Sequence, residues 1–155
     1  RATTSALKTQ WGDAPEKLID LFKNNVGLRT PQITRTDYEV LKKLINRCLL
    51  KKVGEILSIY DGEDHLVASG FFLMHKKTVT LLVSSTDFNN RKNGANTLLI
   101  NSAIRKYQKD FDLFNFGGSS MPSIAKYFLS FGAETRKYHQ IKYHNLPQLL
   151  SLFKN

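Results

Sequence analysis

The chain has 155 residues, a formal net charge of +10, 41% hydrophobic residues and 23% charged residues. That is enough for one globular domain with a single core, and the composition carries no sign of disorder or low complexity. No apolar run reaches the roughly 20 residues a membrane-spanning helix needs, and RATTSALKTQWGD lacks the apolar core of a signal peptide. The single cysteine, Cys48, cannot form an internal disulfide and fits a reducing, cytoplasmic compartment. His65, His75, His139 and His144 are scattered without metal-ligand spacing, so no metal site is expected.

The charge is uneven. Residues 76–155 hold 12 Lys/Arg against 4 Asp/Glu, whereas residues 1–75 hold 11 against 9. A basic C-terminal half suits an anionic ligand such as a nucleotide, a phosphorylated cofactor or RNA; the plain alternative is a solvated basic surface.

In chain order, Ala14-Pro15 with Glu16 reads as the start of a helix whose apolar face carries Leu18, Ile19, Phe22 and Val26, ending at Gly27. A second helix is expected from Thr36, with Glu39 at the capping-box position and Tyr38, Leu41, Leu44, Ile45 and Cys48 at helical spacing. The period then changes. VGEILSIYD, HLVASGFFLMHK and KTVTLLVSST read as three strands joined by DGED and HKK, an antiparallel meander. NNRKNGANTLLINSAIRKYQKDF turns from loop into helix, with Leu98, Leu99, Ser102, Ala103 and Tyr107 facing inward. DLFNF follows as a short strand, then a helix from Pro122 to Phe131, a long strand ETRKYHQIKYH, and NLPQLLSLFKN as a short helix or tail. This order predicts one α/β domain with a mixed, partly antiparallel sheet flanked by helices.

Two loops attract attention. After LLVSST, the basic loop around Arg91, Lys92 and Gly94 leads into a helix, whose unpaired N-terminal amides can cradle a phosphate. The plain reading is a helix capped by Asn93 or Asn96, with Gly94 relieving strain. The second loop is FNFGGSSMPS. Gly117 and Gly118 permit backbone conformations closed to other residues, and Ser119, Ser120 or Ser123 could cap the helix that Pro122 begins. A nucleophilic serine would need a base, and no histidine is close in sequence.

Strand, basic loop with R-x-x-G, helix, strand and an aromatic-rich helix ending in FG together resemble the GNAT acyltransferase fold. NFGGSS followed by IAKYFLSFGAE is most similar to the Fem-type branch, whose members are often two such domains in tandem and transfer amino acids from aminoacyl-tRNA to peptidoglycan precursors. The resemblance covers Asp13 to Pro147. It implies that residues 1–155 are a single GNAT-like domain, the C-terminal half of a longer two-domain protein; the chain does not begin with Met. It implies a non-covalently bound anionic donor, acyl-CoA or aminoacyl-tRNA, whose pyrophosphate or equivalent would meet Arg91, Lys92, Asn93, Gly94, Ala95 and Asn96. It also implies that Leu82, Val83 and Ser84 offer backbone N–H to the acyl carbonyl.

Two positions depart from the pattern. Asn96 stands where the phosphate loop usually ends in a small residue. Phe128 stands where many of these enzymes carry the tyrosine that protonates the departing thiolate. Tyr127 is the remaining candidate acid, yet adjacent helical residues point about 100° apart. The resemblance implies an N-acyltransferase or aminoacyltransferase, and these departures leave a non-catalytic scaffold or substrate-binding domain as the alternative.

Overall fold

Three apolar segments joined by short turns form the expected meander in the computed structural model, which describes residues 6–89, 94–118 and 121–136. The chain divides into two compact units, residues 1–118 and 119–155. In the first, β1 (Lys8–Trp11), β2 (Gly54–Tyr60), β3 (Leu66–His75), β4 (Thr78–Thr86) and β5 (Leu113–Asn115) lie side by side in chain order. The first four are antiparallel neighbours and β5 joins β4 in parallel, giving the expected mixed sheet. Strand β1 is an addition to the expected elements: KTQW is short and polar, and it gains strand structure only by pairing with Leu57–Tyr60.

Helices cover both faces. Along β3 the fully buried Phe71 and Phe72 point in opposite directions, as successive strand residues must. Phe71 packs with Leu18 of α1 (Pro15–Asn24), Ile45 and Cys48 of α2 (Arg35–Leu50), and Ile56. Phe72 meets Trp11, Phe114 and Tyr107, the last on α3 (Ala95–Tyr107). Each such large apolar side chain contributes roughly 1.5–3 kcal/mol by leaving water. On α3 the buried residues are Ala95, Leu99, Ile100, Ala103 and Tyr107, so the inward face is rotated slightly from the expected one.

Helix α1 starts at Pro15 as read, but stops at Asn24 rather than running to Gly27. Buried Asn25 diverts it: its side-chain amide donates to the Leu21 carbonyl at 2.8 Å, and its Oδ1 accepts the Phe88 N–H at 2.7 Å. A 3-10 turn over Gly27–Arg29 follows. Helix α2 begins one residue before the expected cap. Thr34, not Thr36, forms the capping box, with Asp37 rather than Glu39 reaching back to accept the Thr34 N–H at 2.7 Å. Both pairs have the same spacing, and Asp37 is close enough to serve. Leu44, expected on the inner face, is 45% exposed.

In the second unit, α4 (Pro122–Leu129) starts at Pro122 as expected. Met121 occupies the cap position without a side-chain cap bond, and Ser123 lies inside the helix, so Ser123 is not its cap. Ser119 and Ser120 lie outside the described residues. Residues 134–136 are irregular, and the rest of the expected strand over 134–144, with the tail 145–155, lies outside the described residues.

One polar cluster ties α1 to the edge of the sheet. Asp13 is buried; its carboxylate accepts from Tyr60 Oη at 2.5 Å, Lys17 Nζ at 2.9 Å and Gln10 Nε2 at 3.0 Å. Burial pushes the Asp13 carboxyl up, but the hydrogen bonds from Tyr60 and Lys17 outweigh it and hold the group below its ordinary value. The stabilisation is thus complete above the ordinary aspartate range and is lost as pH falls through the depressed value. Tyr60→Phe, which removes one donor to a buried carboxylate, should cost about 1–3 kcal/mol in denaturant unfolding at neutral pH. It should also move acid unfolding to higher pH; an unchanged acid midpoint would show that the bond does not set the Asp13 charge.

Candidate active site

Strand β4 creates an opening. Phe71 pairs with Val83 but Phe72 pairs with Leu81, so Leu82 is an extra residue, a β-bulge. Without it Leu81 and Val83 would share a face. Instead Leu81 approaches Gly70 beside Leu99 of α3, while Val83 packs on the α1–α2 cluster. Leu82 is left 40% exposed.

On its other side β4 parts from its parallel neighbour. Pairing with β5 covers only Thr78, Val79 and Thr80, opposite Leu113, Phe114 and Asn115. From Leu81 onward, the edge of β4 that faces away from β3 has no strand partner among the described residues. Asn115 turns β5 aside: its Oδ1 accepts the Gly117 N–H at 2.9 Å. Gly117 and Gly118 follow at φ +75° and +74°, the left-handed conformations expected of the double glycine. A side chain on Gly117 would lie 3.2 Å from the Leu81 carbonyl oxygen, so glycine keeps the gap between the strands clear.

Helix α3 follows β4. Gly94 is its N-cap at φ +80°, consistent with a glycine that relieves strain, while Ala95 is buried at the first helical position. Asn96 lies inside the helix, one residue beyond Ala95, and so does not occupy the cap position. The far end of α3 is anchored by Glu55 of β2, whose Oε2 accepts from Lys106 Nζ at 2.6 Å and Tyr107 Oη at 2.7 Å. Burial, reinforced by Glu55, pushes the Tyr107 phenol well up, so it stays protonated and serves as an anchor.

Of the residues singled out in the sequence, Leu82, Val83 and Ser84 thus lie on β4 at and after the bulge, and Gly94, Ala95 and Asn96 at the start of α3. Arg91, Lys92 and Asn93 lie outside the described residues. Tyr127 and Phe128 are half-buried neighbours on α4 with ring centroids 6.0 Å apart, and Tyr127 also meets Phe131 edge-on at 5.2 Å. Neither the bulge nor the Asn115 turn is foreseen from the sequence. Their only sequence signals are the unbroken apolar run Leu81-Leu82-Val83 and an asparagine two residues before a glycine. Among the described residues no group of His, Cys, Asp and Glu could hold a metal ion, and no helix is long and apolar enough to cross a membrane.

Solved structures share this architecture. An aminoglycoside acetyltransferase from an uncultured soil metagenomic sample, in complex with sisomicin, is 18% identical with a TM-score of 0.64, over 92% of this chain and 97% of that one. A putative acetyl transferase from Pyrococcus furiosus is 12% identical with a TM-score of 0.70, over 90% and 100%. The structure of AAC(6')-Iy in complex with the bisubstrate analog CoA-S-monomethyl-acetylneamine is 10% identical with a TM-score of 0.63, over 92% and 100%. The chain has the GNAT acetyltransferase fold. No protein-family profile matches the sequence, and no curated protein matches it significantly.

The two left-handed glycines make a differential prediction. Gly94→Ala meets nothing within 4 Å and should cost only the strain of a left-handed alanine, about 1–2 kcal/mol. Gly117→Ala carries the same strain and must also displace the Leu81 carbonyl. Its thermal midpoint should fall further than that of Gly94→Ala; equal losses would mean that the Gly117 gap is not tightly held.

Proposed function

We propose that this chain is a GNAT-type N-acyltransferase whose donor acyl group lies along the open edge of β4 beyond Thr80. The observation that supports this most is the combination of a bulge at Leu82, the parting of β4 from β5, and α3 as the next helix in the chain after β4, in a fold shared with acetyltransferases. In this proposal the backbone at Leu82, Val83 and Ser84 polarises the acyl carbonyl. Arg91, Lys92 and the backbone from Asn93 to Asn96 receive the anionic end of the donor. An acceptor amine forms the new C–N bond at the carbonyl carbon as the bond to the donor's leaving atom breaks. The amine proton passes to a carboxylate or to water.

The Fem-type reading, an aminoacyl-tRNA donor, is favoured by Phe128. A phenyl ring has no proton for a departing thiolate, whereas a ribose hydroxyl is a different leaving group with different requirements. The basic C-terminal half, with 12 Lys/Arg against 4 Asp/Glu, suits either donor.

The test compares acetyl-CoA with aminoacyl-tRNA as donors to a panel of amines, with product followed by mass spectrometry. Acetyl-CoA should bind with slow or no transfer, since loss of a general acid typically costs around 10²–10⁴ in rate. Asn96→Gly combined with Phe128→Tyr should raise CoA affinity or turnover, and Arg91→Ala with Lys92→Ala should weaken the binding of either donor. Brisk acetyl transfer by the unmodified chain would show that Asn96 and Phe128 are no obstacle. Neither binding nor transfer with both donors would favour a non-catalytic scaffold.

A further inference from the structure

The C-terminal end of α2 carries a surface that the acyl-transfer reading does not use. Lys43 and Arg47 lie one turn apart on its outer side, and the chain leaves the helix through Leu50, Lys51, Lys52 and Val53. Leu50 is 84% exposed and Val53 37% exposed. Lys52 takes φ +55°, a left-handed conformation unusual for lysine, where the chain turns from α2 towards β2. None of these four cations has an ion-pair partner among the described residues, whereas Lys42 on the same helix is paired with Glu16 at 2.9 Å.

Helix capping does not account for this arrangement. The carbonyls of Arg47, Cys48 and Leu49 already accept backbone N–H groups from Lys51, Val53 and Lys52. Cations near a helix C-terminus also complement its dipole, but that leaves the exposed leucine unexplained. Four unpaired cations around two exposed aliphatics suit an occupant that is both anionic and apolar. Nucleic acid supplies the phosphates but gives Leu50 nothing to enter. A lipid headgroup layer suits both features at once: lysine and arginine meet phosphates as the exposed leucine reaches the acyl boundary.

We propose that the end of α2 is a peripheral docking surface for an anionic lipid membrane. The test is co-sedimentation with vesicles of phosphatidylcholine alone and of phosphatidylcholine mixed with phosphatidylglycerol. Binding should require the anionic lipid. Lys43→Glu with Arg47→Glu should weaken it about tenfold or more, given the contribution of each cation near a charged surface. Arg105→Glu with Lys109→Glu changes the net charge equally on exposed residues elsewhere and should have a much smaller effect. Leu50→Ser, at a position too exposed to disturb folding, should reduce the binding that survives in high salt. Three results would each overturn the proposal: no vesicle binding at low ionic strength, equal weakening by the two charge-reversal pairs, or RNA binding through Lys43 and Arg47 with vesicle binding untouched by Leu50→Ser.

Discussion

Phe71 and Phe72 of β3 bind the first unit together because adjacent strand residues must face opposite ways. Both are fully buried, which is feasible only if helices cover both faces of the sheet. Phe71 fixes the layer of α1 and α2 through Leu18, Ile45 and Cys48; Phe72 fixes the α3 layer through Tyr107. Gly54 gives Phe71 its space, since a side chain there would collide with the ring.

The opening in β4 arises beside this same pair. The irregularity in the β3–β4 register falls at the step from Phe71 to Phe72, and the extra residue is accommodated on β4. An inserted residue exchanges the faces of everything beyond it, so Leu81 can serve the α3 layer while Val83 serves the α1–α2 layer. The packing demand of both layers and the irregular backbone that an acyl carbonyl could use thus have one structural origin. The Asn115 turn then leads β5 away from that segment, and Gly117 keeps the space free.

Polar groups divide between two tasks. Asp13 with Tyr60 and Lys17, and Glu55 with Tyr107 and Lys106, share mutual hydrogen bonds that tie helices to strands. The lowered pKa of the Asp13 carboxyl and the raised pKa of the Tyr107 phenol follow from burial and those bonds and are consistent with fixed anchors. The cations at the end of α2 have no such partners among the described residues, and this difference separates an anchoring cluster from a surface left available.

Much of the architecture was legible in the residues. Apolar segments bounded by turn residues marked β2, β3 and β4, helical spacing with Pro15 and Pro122 placed α1 and α4, and the double glycine marked a left-handed turn. These features are local, set by side-chain period and by backbone conformations that few residue types adopt. Strand β1 was not legible, because KTQW has no apolar alternation and depends on the hydrogen bonds of β2. The cap expected at Thr36 falls at Thr34, a difference that spacing does not resolve because the two capping pairs are equally spaced. The bulge at Leu82 was hidden inside an unbroken apolar run, where either face of the strand can be buried. Which residue is left over was decided only when β3, with one phenylalanine fixed in each layer, set the register that β4 had to meet.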